Sequence, residues 1–331
     1  MSIVQPFSES YQNLLYDESR MVGHAEYVAF PRDEAGIARA VRFCAERGVP
    51  LTAQGSRTGL AGGASPDGGL ILNLSRMDSI LGMRQDAQGR FFLRAQPGVT
   101  LAAIRKALLL KAADVSGWSA ESREAFAGMK AGEWFFSPDP TEPTASIGGM
   151  ASCNARGARS FLYGATRKHI HALRVTLADG RVAELTRGCE KARGRDFTIH
   201  TEDGGALSGR LPDFDTPLIK DAGYYIQPDM DLIDLFIGSQ GALGIIAELE
   251  LALMPAPKSL SGVTAFFPDD DAALRYVSAV KRFRPQPASI EFFNGDALAL
   301  VEVNTDPDAP IFAYTDYGLA MDCGAFLREV L

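Results

Sequence analysis

Gln54-Gly55-Ser56-Arg57-Thr58-Gly59-Leu60-Ala61-Gly62-Gly63-Ala64 is the stretch around which this 331-residue chain is read. It follows an apolar run, Val49 to Ala53, that reads as a strand, and it leads by way of Ser65-Pro66-Asp67-Gly68-Gly69 into a second strand at Leu70 to Leu74. Its four glycines, Gly55, Gly59, Gly62 and Gly63, let the backbone take positive φ and approach a ligand with no Cβ in between. Successive free N–H groups in such a turn form a nest for an anion, with a diphosphate the first candidate. Alone, the loop reads equally well as a solvent-facing turn. It is not the dinucleotide-binding GxGxxG pattern, which opens directly into a helix facing the pyrophosphate. Any phosphate here has to be held by backbone amides, which weakens a nicotinamide reading.

Upstream, residues 1–24 are polar and irregular and read as an arm on the first domain. Glu26 to Phe30 is a short strand ended by Pro31. Asp33 caps a helix whose Ile37, Ala40, Val41 and Cys44 recur at helical spacing, and Gly48 ends it. Cys44 thus falls on the buried stripe as a small core residue. Strand, helix, strand, glycine loop and strand make an α/β unit with a ligand at a strand's carboxyl end.

Downstream, Phe91 to Ala95 reads as a strand, and Thr100 caps a helix carrying Leu101, Ile104 and Leu108. Residues 112–134 read as a surface insertion with a short helix near Ala120–Ala131 and Trp118 as a packing anchor. A second cluster, Ser137 to Gly157, holds three prolines, Gly148-Gly149 and Asn154, and runs on to Tyr163-Gly164; Ser146 can cap a short helix from Ile147. Loops of this length in compact domains are usually functional. His171 to Ala178 alternates as a strand, with a hairpin turn at Asp179-Gly180 before Val182 to Leu185. His169 and His171 have no third ligand nearby in sequence, which argues against a metal. Residues 187–215 read as a surface excursion without periodicity. The third cluster, Asp231 to Glu248, ends in Gly238-Ser239-Gln240-Gly241-Ala242-Leu243-Gly244 and passes into a strand, Ile245 to Leu253. Pro255 and Pro257 mark a linker. Beyond it, Gly262–Phe267 and Ser289–Phe293 read as strands. A helix capped at Asp269–Asp271 lies between them, and another helix is expected at Asp296–Val303.

Bulk properties narrow the function. The length favours two domains, and 46% hydrophobic residues with mean hydropathy −0.02 describe an ordinary globular chain without a membrane span. A net charge of −8 argues against nucleic acid or an anionic membrane as the main partner. The first residues lack the features of a secretory signal. Cys44, Cys153, Cys189 and Cys323 contain no CxxC pair, which disfavours an iron–sulfur or structural zinc site and suits a cytoplasmic location.

Together the three clusters resemble the FAD-binding domain of the vanillyl-alcohol oxidase/PCMH superfamily, in the branch that holds the flavin chain of glycolate oxidase and the D-lactate and D-2-hydroxyglutarate dehydrogenases. The resemblance rests on Gly55 to Gly63, Pro138-Asp139-Pro140, Ser146-Ile147-Gly148-Gly149, Asn154, Tyr163-Gly164 and Leu235 to Ile246. It implies an α+β architecture: an arm at 1–25, a PCMH-type FAD-binding domain of two α/β subdomains at 26–257, and the start of a ferredoxin-like α+β substrate (cap) domain at 258–331. It further implies that Gly55, Ser56, Arg57, Thr58, Gly59, Leu60, Gly62, Gly63 and Ala64 wrap the FAD pyrophosphate. Pro138, Thr144, Gly148, Gly149, Ser152, Asn154, Gly157 and Gly164 would follow the ribityl chain and isoalloxazine, with Gly241, Gly244, Ile245 and Ile246 at the adenine end.

Some relatives attach FAD through a histidine in or near the first loop; this loop has none, so dissociable FAD is expected. The branch's metal- and carboxylate-binding histidines lie near the C-terminus, whereas this sequence has no histidine after His200, so its substrate half reads as truncated and no metal is expected. The implied reaction is oxidation of a D-2-hydroxy acid such as glycolate or D-lactate, with hydride passing to flavin N5 and an unidentified acceptor, such as a partner redox protein, taking the electrons. Arg57, Arg156, Arg167, Lys220, Tyr163 and Tyr224 are the candidates for a cation or base, and none is singled out. A FAD-binding chain without turnover of its own, working only with a partner, is the alternative. A reductase resembling the UDP-N-acetylenolpyruvylglucosamine type is disfavoured by the 138–164 segment.

Overall fold

A computed structural model describes residues 3–216, 223–282 and 284–294. The chain divides into two units, Met1–Ser261 and Gly262–Leu331. In the first unit, β1 (Val4–Pro6) runs antiparallel to β2 (Tyr27–Ala29). The helix α1 (Glu34–Arg47) starts where Asp33 Oδ1 accepts the Gly36 N–H at 2.7 Å and stops where Gly48 takes φ +62°. Glycine adopts that left-handed conformation freely, which ends the helix. Ile37, Ala40, Val41 and Cys44 of α1 pack with Leu70 and Leu72 of the central strand of a four-stranded sheet. That sheet has the order β1-β2-β4-β3, with β3 (Leu51–Gln54) and β4 (Leu70–Asn73) parallel. The first glycine loop therefore leaves the carboxyl end of β3.

The second layer is antiparallel. β5 (Ile80–Gln85) and β6 (Phe91–Ala95) pair, followed by α2 (Leu101–Leu110), α3 (Ala120–Gly128) and β7 (Trp134–Phe135). Two short helices, α4 (Ile147–Ser152) and α5 (Ser160–Tyr163), precede β8 (Ile170–Thr176) and β9 (Val182–Thr186). A hairpin of β10 (Asp196–His200) and β11 (Ala206–Arg210), then α6 (Ile233–Phe236), lead to β12 (Ile245–Ala252) and β13 (Met254–Pro255), which pairs with β7. The five-stranded order is β5-β6-β12-β8-β9. Because strand side chains alternate, Leu173, Val175, Leu185, Leu249 and Leu251 face one core with Leu101, Ile104, Ile147 and Phe236. Ile245 and Ala247 instead join the α1 core. β12 thus belongs to both cores.

Trp118 is buried, donates from Nε1 to Ile80 O at 2.7 Å and meets Phe126 edge-on, the anchoring role expected of it. Several local readings change. The 187–215 excursion contains the β10–β11 hairpin, whose outer strand is exposed along its whole length. The polar arm supplies β1 and a 3-10 turn at Glu9–Leu14. In the second unit α7 (Asp270–Val280) forms, with Asp269 as its cap. Residues 262–267 and 289–293 are not strands among the described residues; Val263 is 83% exposed and no neighbouring strand pairs with either segment. The expected helix at Asp296–Val303 lies outside the described residues.

Candidate functional site

The first glycine loop is tied at its base and open along its rim. Gln54, fully buried, donates from Nε2 to Leu14 O and Ala64 O, both at 2.7 Å, and so closes the neck of the loop. Asn73 donates to Gln54 Oε1 at 3.2 Å and fixes that amide's orientation. At one shoulder the Ser56 N–H donates to Ser146 Oγ at 3.3 Å; at the other the Ala64 N–H donates to Asp17 Oδ2 at 3.2 Å. Between them the N–H groups of Arg57, Thr58, Gly59, Leu60, Ala61, Gly62 and Gly63 meet no acceptor among the described residues. Positive φ at Arg57 (61°) and Gly62 (75°) breaks the alternation of an extended chain, as in an anion nest.

The second segment is packed against the first. Ser146 Oγ caps α4 by accepting the Gly149 N–H at 3.4 Å, while also accepting from Ser56. A Cβ on Gly55 would stand 2.0 Å from that oxygen. Gly157 carries Pro138-Asp139-Pro140 directly: a Cβ there would fall 1.5 Å from Asp139 O. Arg105 and Arg159 pair with the Asp139 carboxylate on the same strap. Gly148 gives its N–H to Pro97 O at 2.8 Å, whereas Gly149 stays half-buried. Pro138 and Asn154 are buried, and Asn154 Oδ1 accepts the Arg167 N–H at 2.9 Å. Thr144 is exposed and donates through both N–H and Oγ to Glu142, holding that carboxyl below its usual range. Gly164 turns the chain with φ +84° beside Lys168.

The third loop hangs from α4. The Gly238 N–H donates to Ala151 O at 3.0 Å and the Gln240 N–H to Ser152 O at 2.9 Å. A Cβ on Gly63 would lie 2.9 Å from Gln240 Oε1, and one on Gly241 3.5 Å from Ala53 Cβ. The three segments, separated by some ninety residues each in sequence, therefore meet in one place. Gly244, Ile245 and Ile246 are buried, and the side chains of the two isoleucines lie in the two cores.

Beneath the third loop lies a buried ion network. Arg167 donates to Asp234 O and Ile237 O, both at 2.8 Å, and stands 3.3 Å from Asp234 Oδ1. Arg187 reaches both oxygens of Asp234, at 3.0 and 2.8 Å. Burial works against the Arg187 charge, but Asp234 and Asp231 outweigh it and hold its pKa above the ordinary value. Of the candidate cations and bases, Arg167 is thus committed to holding the loop, and Arg57 to the carbonyls of Asn13 and Tyr16. Tyr163 packs edge-on against Phe135 and Tyr224 is half-exposed, while Arg156 is exposed. Lys220 lies outside the described residues. His169 is buried, 3.0 Å from Ser137 Oγ and 2.9 Å from Tyr163 O, and so joins both ends of the second segment. Burial pushes its pKa down. Sequence patterns give Gln54, the first residue of the opening stretch, no role of its own and do not single out Asp17, although Asp17-Glu18-Ser19 has the short side-chain-to-backbone spacing of a local turn. Among the described residues no three metal-ligating side chains gather, and no helix is long and apolar enough to cross a membrane.

What converges is three glycine-backed loops, the first of them carrying a run of open main-chain donors, an arrangement suited to a long ligand with an anionic centre. Residues 25–114 and 123–186 match the FAD binding domain family, and the break in the match falls around Trp118. Glycolate oxidase subunit GlcD of Bacillus subtilis (strain 168) is 32% identical over 278 residues, covering 83% of this chain and 47% of the relative. D-lactate dehydrogenase of Anaerostipes hadrus is 28% identical over 293 residues, 88% of this chain and 50% of that protein. The chain spans about half the length of these curated relatives. Among solved structures, an alkyldihydroxyacetonephosphate synthase superposes with TM-score 0.54 at 14% identity, over 84% of this chain and 42% of that one, a likeness of fold alone. The α+β fold, the three converging segments and these relatives agree: within residues 25–186 this chain carries a domain of the FAD binding domain family.

Proposed function

We propose that this chain binds FAD without a covalent link and is the flavin-carrying part of a D-2-hydroxy-acid dehydrogenase of the glycolate or D-lactate type. The observation that carries the cofactor reading is the run of open amides from Arg57 to Gly63, fixed at both shoulders by Ser146 and Asp17. These amides hold the diphosphate without any need for a basic side chain. Pro138, Thr144, Gly148, Gly149, Ser152, Asn154, Gly157 and Gly164 line the ribityl chain and ring; the occupied Cβ positions of Gly148 and Gly157 keep that wall flat and rigid. Gly241 meets the adenine end, with Gly244, Ile245 and Ile246 contributing main chain only, since the isoleucine side chains are in the cores. FAD, when bound, supplies hydride acceptance from the substrate's α-carbon.

The hydroxy-acid substrate class is drawn from the relatives' names, as is a partner chain taking the electrons, since one relative is named as part of a larger oxidase. We assign residues 26–257 to the FAD-binding domain and 258–331 to the substrate side. The free Cys44, Cys153 and Cys189 fit a cytoplasmic setting.

The test is the absorption spectrum of natively purified protein before and after heat denaturation, followed by anaerobic addition of D-lactate or glycolate. Flavin bands that pass to the supernatant on denaturation are expected, and bleaching by one of the two acids. A colourless protein indifferent to added FAD overturns the cofactor assignment. Bound flavin that neither acid bleaches overturns the substrate class alone.

A further inference from the structure

The diphosphate site draws on the first loop, and the loop in turn is held from outside. Residues 13–24 run alongside it and touch it at several points. The Glu18 N–H donates to Arg57 O at 3.2 Å, and the His24 N–H to Pro66 O at 3.0 Å. Ser65 Oγ donates to Met21 O at 2.8 Å. The Arg57 guanidinium reaches back to the carbonyls of Asn13 and Tyr16. The Cβ position of Gly62 lies 2.7 Å from Met21 Sδ, and that of Gly23 only 1.8 Å from Pro66 O. At the centre is Asp17, 4% exposed. Its Oδ1 accepts the N–H and hydroxyl of Ser19 at 3.0 and 2.5 Å, and its Oδ2 accepts the Ala64 N–H at 3.2 Å. Burial opposes its ionisation, yet the bonds from Ser19, Ala64 and Ser65 prevail and keep the carboxyl below its ordinary range.

A buried carboxylate beside an anion-binding loop is electrostatically unfavourable for the ligand. Its placement needs a compensating use, and the geometry supplies one. A loop whose rim amides have no internal partner loses much conformational freedom when ordered, and nothing within residues 57–63 offsets that loss. The tie from Asp17 fixes the far shoulder as Ser146 fixes the near one.

We propose that residues 13–24 form a clasp that presets the first loop for the FAD diphosphate, with Asp17 as the positioning residue. The proposal rests on the FAD reading above. It makes the N-terminal arm part of the cofactor site, acting entirely through the loop and without touching the ligand. The sign of one substitution decides between this and a bystander charge. Asp17→Asn keeps an oxygen for Ser19 but turns an amide toward the Ala64 N–H, so the tie is lost while the negative charge is also removed.

The experiment is FAD titration by flavin fluorescence on the apoprotein of wild type, Asp17→Asn and Ser19→Ala, with hydrogen exchange of the 54–65 peptides and a thermal melt of each. Asp17→Asn is expected to raise the FAD Kd about tenfold, the worth of one charge-assisted hydrogen bond. Loop exchange should speed up in the FAD-free protein, with the melting temperature little changed. Ser19→Ala moves both readouts in the same direction by a smaller factor, and it carries the test should Asp17→Asn fail to fold. FAD binding that is unchanged or tighter in a folded Asp17→Asn protein overturns the proposal, as does unchanged loop exchange. A wild type that binds no FAD refutes the cofactor reading itself, and the clasp's role with it.

Discussion

Gly55→Ala probes the junction on which the site depends. The Gly55 backbone lies outside the left-handed region, so alanine meets no conformational penalty there. The obstacle is spatial: the new Cβ lies 2.0 Å from Ser146 Oγ and 3.2 Å from Ser146 Cβ. Ser146 is buried, so its hydroxyl can escape only by a rotation that gives up the Ser56 and Gly149 N–H groups. Overpacking of about 1–3 kcal/mol then adds to a lost helix cap of about 1 kcal/mol. Ser146→Ala alone loses the cap, about 1 kcal/mol. In the double variant the clashing oxygen is gone and the two Cβ atoms need to separate by only a few tenths of an ångström. The double variant should therefore be little worse than Ser146→Ala, with a coupling of about 2–4 kcal/mol between the sites. Urea unfolding of all four proteins, with m unchanged, measures it. Effects that add to within about 0.5 kcal/mol would refute the contact between the first loop and α4.

Asp234→Ala removes the carboxylate shared by buried Arg167 and partly buried Arg187, leaving Arg167 to main-chain carbonyls and Arg187 to Asp231, and should cost about 3 kcal/mol in thermal unfolding. A loss under about 1 kcal/mol would mean that the carbonyls of Asp234 and Ile237 hold Arg167 unaided. Acid should also weaken the fold through His169. Burial lowers its folded pKa, so the unfolded chain takes up the proton first, and stability present above about pH 6.5 is lost as pH falls from there toward the folded pKa. His169→Asn should flatten part of that slope in pH-dependent melts, leaving the share of His171, whose pKa burial also lowers. An undiminished slope would show that His169 is not the group concerned.

The parts of this fold legible in the sequence are those with local causes. Asp33, the Ile37–Cys44 stripe and Gly48 mark α1 within one short segment, and Ser146 marks α4. The three glycine segments are equally visible, because each needs its own small residues. Their meeting is not visible, since it depends on contacts such as Gly55 with Ser146 and Gly63 with Gln240, across about ninety and about 180 residues. The β10–β11 hairpin escapes detection because an exposed strand carries no burial pattern. The opposite error arises at 262–267 and 289–293: apolar residues such as Val263 and Phe292 suggest strands, but a strand exists only with a neighbour to bond. Asp17 is illegible for a related reason. A lone polar residue in an irregular arm gains its meaning only from Ala64, far along the chain.

The double membership of β12 has a consequence for synthesis. It is the strand that joins β6 to β8, and its Ile245 and Ala247 also complete the α1 core. Until Ile245 to Ala252 leave the ribosome, the β5–β6 and β8–β9 pairs are separate ribbons, each with an open edge, and neither core is closed. At roughly 5–20 residues per second, the nascent chain spends many seconds in that state. A stall or a rare codon just before Gly244 would lengthen it, and aggregation during expression, more than any defect in the finished protein, would be its mark.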